Sequence, residues 1–176
     1  MTVLRWNEAR MRERCQELAG LLADTVDGGA SVGFLAPLRP AEAAGWWRER
    51  AGAVAAGRLA VWAAVDGADR VVGTVGLALP DKPSSRHRAE IVKLMVHRSA
   101  RGQGLGRRLL ATAEHAAVSA GLTLLHLDTE TGSPAEHLYC SAGWTPAGTI
   151  PDYAVSPSGE LRPTTLYYKR VGPPAG

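Results

Sequence analysis

Residues 94–106 read LMVHRSARGQGLG, and this stretch decides the fold. Its glycines, Gly102, Gly104 and Gly106, stand at every second position. Residues without a Cβ allow backbone turns that other residues avoid, and they let a ligand approach the main chain closely. An apolar strand pattern precedes the glycines and an apolar stripe at helical spacing follows them. The stretch therefore predicts a strand, a glycine-rich turn and a helix that begins near Gly104.

The turn has the chemistry of an anion site. The free N–H groups at the start of a helix point outward together, and the positive end of the helix dipole lies behind them. Arg101, Arg107 and Arg108 add positive charge around the turn. We therefore expect it to hold phosphate groups, with a glycine-rich turn that binds nothing as the alternative.

Two common nucleotide-binding motifs do not fit this spacing. A P-loop needs GxxxxGK[ST], which the chain lacks. A Rossmann fingerprint needs GxGxxG in a parallel βαβ unit, whereas here the third glycine comes one residue too soon and the preceding strands are predicted as antiparallel hairpins.

Hydrophobic periodicity organises the rest of the chain into a predicted α+β domain over residues 1–171, followed by a short flexible tail at 172–176. The predicted helices cover residues 7–23, 41–56 and 104–120, with a short helix that begins at a capping box over Ser133–Glu136 and ends near Gly143. The predicted strands cover residues 59–65, 70–79, 89–96, 122–128, 144–150 and 161–170.

Composition excludes several classes of protein. The chain has 176 residues with 45% hydrophobic residues, and its longest unbroken apolar run, Leu59–Val65, is far too short to cross a bilayer. A net charge of +3 without a long basic run argues against nucleic-acid binding. No signal peptide, membrane contact or metal site is expected. Cys15 and Cys140 are far apart, which predicts two free, buried thiols in a reducing cytoplasm.

Residues 94–106 resemble motif A of the GNAT-type N-acetyltransferases, an LxV strand followed by [QR]xxGx[GA]. Residues 138–144, LYCSAGW, resemble the second signature of that family, a helix with LY followed by an aromatic residue after glycine. The resemblance covers roughly residues 60–170. It implies a central mixed, mostly antiparallel, splayed seven-stranded sheet flanked by about four helices, with acetyl-CoA as co-substrate.

A closer similarity is to the tabtoxin-resistance acetyltransferases, GNAT enzymes that inactivate a β-lactam toxin by acetylating an amine. Residues 90–96, 126–129, 133–139 and 167–169 carry this similarity.

The resemblance also implies where acetyl-CoA binds. The pantetheine arm enters between two splayed strands and meets backbone groups of residues 94–96, and the pyrophosphate lies on the N–H groups of residues 103–107. The implied cofactor-binding residues are Leu94, Met95, Val96, Arg101, Gly102, Gln103, Gly104, Leu105, Gly106, Arg107 and Ser133.

Acetyl transfer to an amine needs a base, because an ammonium group with a pKa near 10 is not a nucleophile at neutral pH. Glu90 is expected to share a strand face with Val92 and Leu94, and Asp128 to end a strand at the edge where ligands bind. The resemblance makes both carboxylates candidate bases. The alternatives are an ion pair of Glu90 with a nearby basic residue, among Arg86, Arg88 and Lys93, and a loop cap at Asp128.

Tyr139 is the implied acid that protonates the departing thiolate, with a buried core tyrosine as the alternative. Other residues have two open interpretations. Trp46 and Trp47 are either core or pocket walls, and His126 either is a core histidine or assists catalysis. We place Asp152 and Tyr153 near the acceptor from their loop position alone.

The sequence therefore predicts an acetyl-CoA-dependent N-acetyltransferase that acts on the amine of a small molecule, with an antibiotic or toxin as the expected acceptor in a resistance role. Two alternatives stay open, namely an aminoglycoside or protein amine as the acceptor, and an idle acyl-CoA-binding module. A cationic acceptor pocket would favour an amino-acid-like molecule, and a carboxylate-lined one a polycation. The resemblance also implies a homodimer.

Overall fold

The computed structural model describes residues 1–172, which form a seven-stranded sheet and five α-helices. The helices are α1 (Glu8–Glu13), α2 (Cys15–Asp27), α3 (Pro40–Ala55), α4 (Leu105–Ser119) and α5 (Pro134–Ser141). The strands are β1 (Thr2–Trp6), β2 (Leu59–Val65), β3 (Val71–Ala78), β4 (Arg88–Val96), β5 (Leu124–Glu130), β6 (Thr145–Val155) and β7 (Leu161–Arg170). Of the expected tail, residues 173–176 lie outside the described residues. No helix within residues 1–172 is long and apolar enough to span a bilayer.

The strands follow the order β1-β2-β3-β4-β5-β7-β6. Every neighbouring pair is antiparallel except β4 and β5, which run parallel. The expected mixed, mostly antiparallel α+β sheet is therefore confirmed, with five helices rather than about four.

β4 and β5 pair over only a short distance. Arg88, Ala89 and Glu90 lie opposite Leu124–His126, and beyond that point the two strands have no register with each other. Because β5 continues to pair with β7 and β4 with β3, the sheet stays intact on both sides of the gap. The result is a wedge that opens toward the carboxyl ends of both strands.

Two apolar layers hold the sheet from both faces. α4 and α5 cover one face, where Leu109 and Leu125 are fully buried. α1, α2 and α3 cover the other face, around Trp47, Leu22 and Met11. Full burial of one such side chain contributes about 1.5–3 kcal/mol. Because central strands are buried on both faces, β2 consists of apolar residues without alternation.

The structure corrects several predicted boundaries. The sequence pattern does not predict β1, because this strand has only five residues and most of them are exposed. The helix predicted over residues 7–23 is interrupted at Arg14, whose buried guanidinium binds Glu17 and Asp69, and it continues as α2 to Asp27. β5 runs two residues further than predicted, so Asp128 lies inside the strand and does not end it.

Two local predictions on α5 are also wrong. The capping box does not form, since Ser133 makes no capping bond and the Glu136 carboxylate instead accepts a hydrogen bond from the Gly132 amide at 2.7 Å. Cys140 is exposed because α5 turns that side outward, whereas Cys15 is buried as expected; both thiols are free.

Candidate active site

The wedge between β4 and β5 continues into a groove of about 1240 Å³, here named the wedge groove. Its walls are residues 90–96 of β4, residues 128–130 of β5, the turn before α4 and the connection that follows α2. The unpaired edges of two strands thus line a long cleft, and the start of a helix lies at one end of it.

The glycine-rich turn presents a row of free main-chain donors. Gly104 is the N-cap of α4 and has a φ of 73°, in the left-handed region that favours glycine. Within residues 1–172, no protein acceptor binds the amides of residues 102–107. A helix start with free amides and a positive dipole end suits a phosphate group.

The arginines near the turn have different surroundings. Arg101 donates from Nε to the Val96 carbonyl at 3.1 Å and lines the wedge groove. Arg107 also lines it, although its Nη2 donates to the Ser141 hydroxyl at 2.7 Å. Arg108 does not supply charge to the groove as expected, because its guanidinium is bound to the Met1 carbonyl at 3.1 Å.

The structure brings most of the expected cofactor-binding residues to the wedge groove. Gln103 does not line it, and its exposed side chain leaves only the main chain for binding. Ser133 lines it with its hydroxyl 3.3 Å from that of Thr129. The lining residues among those expected are Leu94, Met95, Val96, Arg101, Gly102, Gly104, Leu105, Gly106, Arg107 and Ser133.

Both candidate bases lie on the walls of the same groove. Glu90 is opposite His126 in the parallel register, and Asp128 follows two residues later on β5. Within residues 1–172, neither carboxylate forms an ion pair, and Asp128 caps no loop. The alternatives of an ion-paired Glu90 and a capping Asp128 are therefore wrong, and both carboxylates are free to meet a ligand.

His126 is held by Arg88, whose Nη1 lies 2.8 Å from the imidazole Nε2. A guanidinium can only donate, so this nitrogen is the acceptor and the ring is neutral. Burial, together with the positive charge of Arg88, lowers the pKa of His126, although Glu90 and Asp128 oppose the shift. The lone pair of Nε2 is therefore occupied by Arg88 and cannot act as a base, and His126 serves only as the neighbour of Glu90 on the adjacent strand.

Tyr139 combines the two interpretations that the sequence left open. It is only 6% exposed, and its ring packs with those of Trp144 and Tyr167 at centroid distances of 6.0 and 5.9 Å. It also lines the wedge groove, as Asp128 does. Burial and the negative charge of Asp128 raise the pKa of Tyr139 to about 12, so the phenol keeps its proton at neutral pH.

Lys93 is a groove residue that sequence analysis did not select. It lies at a bulge in β4, with a φ of 50°, where one extra residue separates the pairs Gly76–Val92 and Thr74–Met95. The bulge breaks the predicted alternation, because Ile91 and Leu94 both pack toward α4 and α5 while Met95 packs toward α2. Contrary to expectation, Glu90 therefore does not share a strand face with Leu94. A lysine within the apolar stretch Ile91–Val96 was the available signal.

The two neighbouring tryptophans both line a cavity beside β4. Trp47 is also buried in the core, where its Nε1 donates to the Leu18 carbonyl at 3.0 Å, whereas Trp46 is half-buried. Tyr153 lines the wedge groove. Asp152 does not line it and is exposed, with a φ of 50° at an irregularity of β6.

Comparison with known proteins identifies the class to which this fold and site belong. The acetyltransferase (GNAT) family matches residues 12–144, and the chain therefore belongs to that family. It is an N-acetyltransferase with acetyl-CoA as its co-substrate. The free amides of residues 102–107 and the unpaired strand edges of the wedge groove agree with this activity.

Solved structures share the fold at low sequence identity. A ribosomal-protein-alanine N-acetyltransferase from Brucella melitensis is 21% identical with a TM-score of 0.78, over 97% of this chain and 100% of that one. The yncA protein of Salmonella typhimurium, solved with its cofactor acetyl-CoA, is 20% identical with a TM-score of 0.79, over 100% and 96%. A phosphinothricin acetyltransferase from Sinorhizobium meliloti, in complex with AcCoA, is 18% identical with a TM-score of 0.79, over 97% and 88%.

Proposed function

We propose that this enzyme transfers the acetyl group directly to the amine of a small molecule. The observation that carries the proposal is the convergence of Glu90, Asp128 and Tyr139 on one groove that ends at the free amides of the α4 turn. A module that only bound acyl-CoA would need the amides and the cleft, but neither a free carboxylate nor a buried phenol beside them.

The residues present fit acetyl-CoA. The amides of residues 102–107 suit its pyrophosphate, and the unpaired edge of β4 from Ile91 to Val96 offers main-chain groups to the pantetheine amides. When bound, acetyl-CoA supplies the thioester carbon that the amine attacks and the thiolate that leaves.

Glu90 and Asp128 are assigned to the proton that the amine must lose. An amine with a pKa near 10 is almost wholly protonated at pH 7. A carboxylate within reach, directly or through one water, accepts that proton and leaves a nucleophilic lone pair. Two carboxylates on neighbouring strands also attract the ammonium form of the substrate into the groove before it is deprotonated.

Tyr139 is assigned to the other end of the reaction. Its hydroxyl keeps its proton because burial raises its pKa to about 12, and no hydrogen bond to another side chain occupies it within the described residues. A neutral phenol of this kind donates a hydrogen bond to sulfur and then a proton as negative charge develops there.

Thiol release from acetyl-CoA tests this proposal. The purified chain is incubated with acetyl-CoA and, separately, with amine antibiotics, amino acids, aminoglycosides and peptides bearing a free N-terminus or lysine. Turnover with one small-amine class, and background rates with peptides, would support the proposal. Turnover with peptides alone would assign a protein acceptor instead, and acetyl-CoA binding without turnover on any amine would favour the idle binding module.

We further infer a role in resistance, in which the enzyme acts in the cytoplasm on an antibiotic or toxin. The similarity of residues 90–96 and 133–139 to the tabtoxin-resistance acetyltransferases supports this role. Expression in a sensitive bacterium should raise the inhibitory concentration of the acetylated compound, and a double Glu90→Gln, Tyr139→Phe variant should not. Equal protection by both forms would contradict a catalytic resistance role.

A homodimer also remains our proposal. β6 is an edge of the sheet, and β6 and β7 expose the apolar side chains Ile150, Val155, Leu161 and Leu166. An exposed edge strand with apolar side chains favours pairing with another copy. Light scattering should give a mass of about twice 18.6 kDa, and a monomer mass at every concentration would contradict it.

A further inference from the structure

A second cavity adjoins the wedge groove. It has a volume of about 480 Å³ and lies between α3 and strands β2 to β4, and it is here named the α3 cavity. Lys93 and Val92 line both the α3 cavity and the wedge groove. The α3 cavity therefore adjoins the part of the wedge groove that Glu90 and Asp128 also line.

The α3 cavity carries an excess of positive charge. Arg50, Arg58 and Lys93 line it, against the single carboxylate of the exposed Asp81. Within residues 1–172, none of these three cations has a carboxylate oxygen within 4.0 Å. The half-buried Lys169, by contrast, forms an ion pair with Glu114 at 2.8 Å.

Arg50 has an unsatisfied donor. Its Nε is buried and has no hydrogen-bond partner, although its guanidinium stacks over the Trp46 ring at 4.8 Å. A buried donor without a partner is costly, and such groups in native structures call for an explanation. An anionic ligand group in the α3 cavity would satisfy it.

Lys93 is held in a defined place by aromatic rings. Its Nζ lies 5.2 Å from the Trp46 ring centroid and 6.0 Å from that of Phe34, and these two rings meet edge to face at 5.6 Å. Burial and the charge of Arg50 lower the pKa of Lys93, while Asp128 and Glu90 oppose the shift. The two carboxylates are near enough to act on the ammonium, yet neither forms an ion pair with it.

Positive and negative groups are therefore neighbours at this site. Glu90 and Asp128 line the wedge groove together with Lys93, and Lys93 lines the α3 cavity together with Arg50. This arrangement is complementary to a molecule that carries both charges, and it repels a polycation from the α3 cavity. Arginine in particular recognises planar or tetrahedral oxyanions through paired donors.

We propose that the acceptor is an amine that also carries an oxyanion group, a carboxylate or a phosphonate, which Lys93 and Arg50 bind while Glu90 and Asp128 face the amine. This inference rests on the proposed function and specifies its substrate class.

Matched substrate pairs test the inference on the unmodified enzyme. One series compares L-α-amino acids with their α-carboxamides, and a second compares aminoalkylphosphonates with the corresponding alkylamines. Thiol release should give a kcat/KM about 10- to 100-fold higher for the anionic member of a pair, the range expected for hydrogen bonds to a charged group. The two series distinguish a carboxylate from a phosphonate ligand.

Two variants locate the preference in the α3 cavity. Lys93→Met and Arg50→Gln should each reduce the ratio of kcat/KM for the anionic member to kcat/KM for the neutral member about 10- to 100-fold. Lys82→Met and Arg48→Gln remove the same charges at exposed positions outside the cavity and should leave this ratio unchanged. Unchanged acetyl-CoA affinity by calorimetry shows that a variant is folded.

A binding measurement separates failure of this inference from failure of the proposed function. Calorimetry with the CoA-loaded protein measures the affinity for the same substrate pairs without transfer. Binding that favours the anionic member and is weakened by Lys93→Met supports the inference, even where no acetyl group is transferred and the proposed function fails. Equal or better transfer to neutral amines overturns the inference and leaves the proposed function intact. Neither transfer to nor binding of the anionic members also overturns it.

Discussion

The wedge groove and the α3 cavity meet at Lys93, but they are built from different parts of the amino acids. For acetyl-CoA the wedge groove offers main-chain groups, namely the free amides of residues 102–107 and the unpaired edge of β4, while its side chains Glu90, Asp128 and Tyr139 are assigned to proton transfer. The α3 cavity offers side chains from three distant segments, represented by Trp46, Arg58 and Lys93. A site made of main chain needs glycine and a helix start at fixed spacing, whereas a site made of side chains can be assembled from any positions that the fold brings together.

This contrast explains why the donor site can be read from a local motif and the acceptor site cannot. A turn that binds phosphates through its amides needs a fixed backbone shape, since the amides must point at the phosphates. The side chains around the acceptor vary without disturbing the sheet. The following variants test whether main-chain groups bind acetyl-CoA while side chains carry out the proton transfers.

The largest effect is expected from Tyr139→Phe, which removes only a hydroxyl from the wall of the wedge groove. Loss of a positioned acid lowers turnover about 10²- to 10⁴-fold. Because the pKa of Tyr139 is raised to about 12, the wild-type enzyme should keep this acid as the pH rises through 10. Steady-state kinetics from pH 6 to 10 measure the loss of turnover in the variant and the pH range over which the wild-type enzyme keeps its activity.

Tyr167→Phe is the matched control for that variant. Tyr167 is also buried, and its hydroxyl donates to Glu136 at 2.9 Å, but it does not line the wedge groove. This control should lose some stability and keep its kcat. Equal losses of kcat in both variants would mean that the tyrosines act only through packing.

The next largest effect is expected from Asp128→Asn and Glu90→Gln. Each removes one of two bases, so the other still accepts the proton, and the loss at pH 7 should reach about 10²-fold at most, the low end for a positioned base. The loss should shrink as the pH rises toward the pKa of the amine, since bulk water then removes the proton. Rates measured across pH 6–10 test this slope.

Asp152→Asn removes a carboxylate that lies outside the groove and serves as the control. Its pH profile should match the wild type. Wild-type kcat at all pH values in both Asp128→Asn and Glu90→Gln would contradict their role as bases and leave positioning alone as the source of catalysis.

A smaller effect is expected from Gly104→Ala, which tests whether the main-chain amides at the start of α4 bind acetyl-CoA. An added Cβ would meet no atom within 4 Å, so the cost comes from the φ of 73° and not from a clash. Left-handed backbone costs other residues about 1–2 kcal/mol, and relaxing it would turn the amides away from the phosphates. Acetyl-CoA affinity should fall about 5- to 30-fold by calorimetry, the same free energy expressed as a ratio.

Gly121→Ala provides a control at the other end of α4. Gly121 has a φ of 75°, and there too an added Cβ would meet nothing within 4 Å. Both variants should lose similar stability, but only Gly104→Ala should lose affinity. Equal acetyl-CoA affinity in the two variants would contradict the binding of acetyl-CoA by the amides of residues 102–107.

The smallest effect is expected from Asp24→Asn, which loosens the contact between α2 and the segment before the glycine-rich turn. Asp24 accepts from the Arg98 amide at 3.0 Å and forms an ion pair with the Arg98 side chain. Loss of this charge should lower the free energy of unfolding by about 1 kcal/mol, because Arg98 is exposed and screened.

The pH dependence of that loss follows from the pKa of Asp24. Burial raises this pKa, but the hydrogen bonds from Arg98 and the charge of His97 outweigh burial and lower it below 3.8. The stabilisation is therefore fully present above pH 3.8 and is lost as the pH falls through the folded-state pKa. Urea melts of wild type and variant should differ at neutral pH and converge in acid. A constant difference at all pH values would assign the effect to packing.

Much of the fold was predictable from the sequence, because periodicity and turn residues act locally. β2 and β7 have the predicted bounds, and α3 and α4 begin within one residue of theirs. The errors have a tertiary cause in each instance. Arg14 interrupts a helical pattern because Asp69, far along the chain, binds its guanidinium, and β1 exists only because β2 pairs with it.

The sequence by itself determined the glycine-rich turn, the strand and helix beside it and the two carboxylates, since these depend on spacing along the chain. Only the tertiary structure decided that β4 bulges at Lys93, that Arg50 and Trp46 lie behind it, and that Glu90 and Asp128 are left without ion pairs. The physical reason is that hydrogen-bonded turns are fixed by neighbours in sequence. The charge balance of a cavity is instead a sum over residues that only folding brings within a few ångströms of one another.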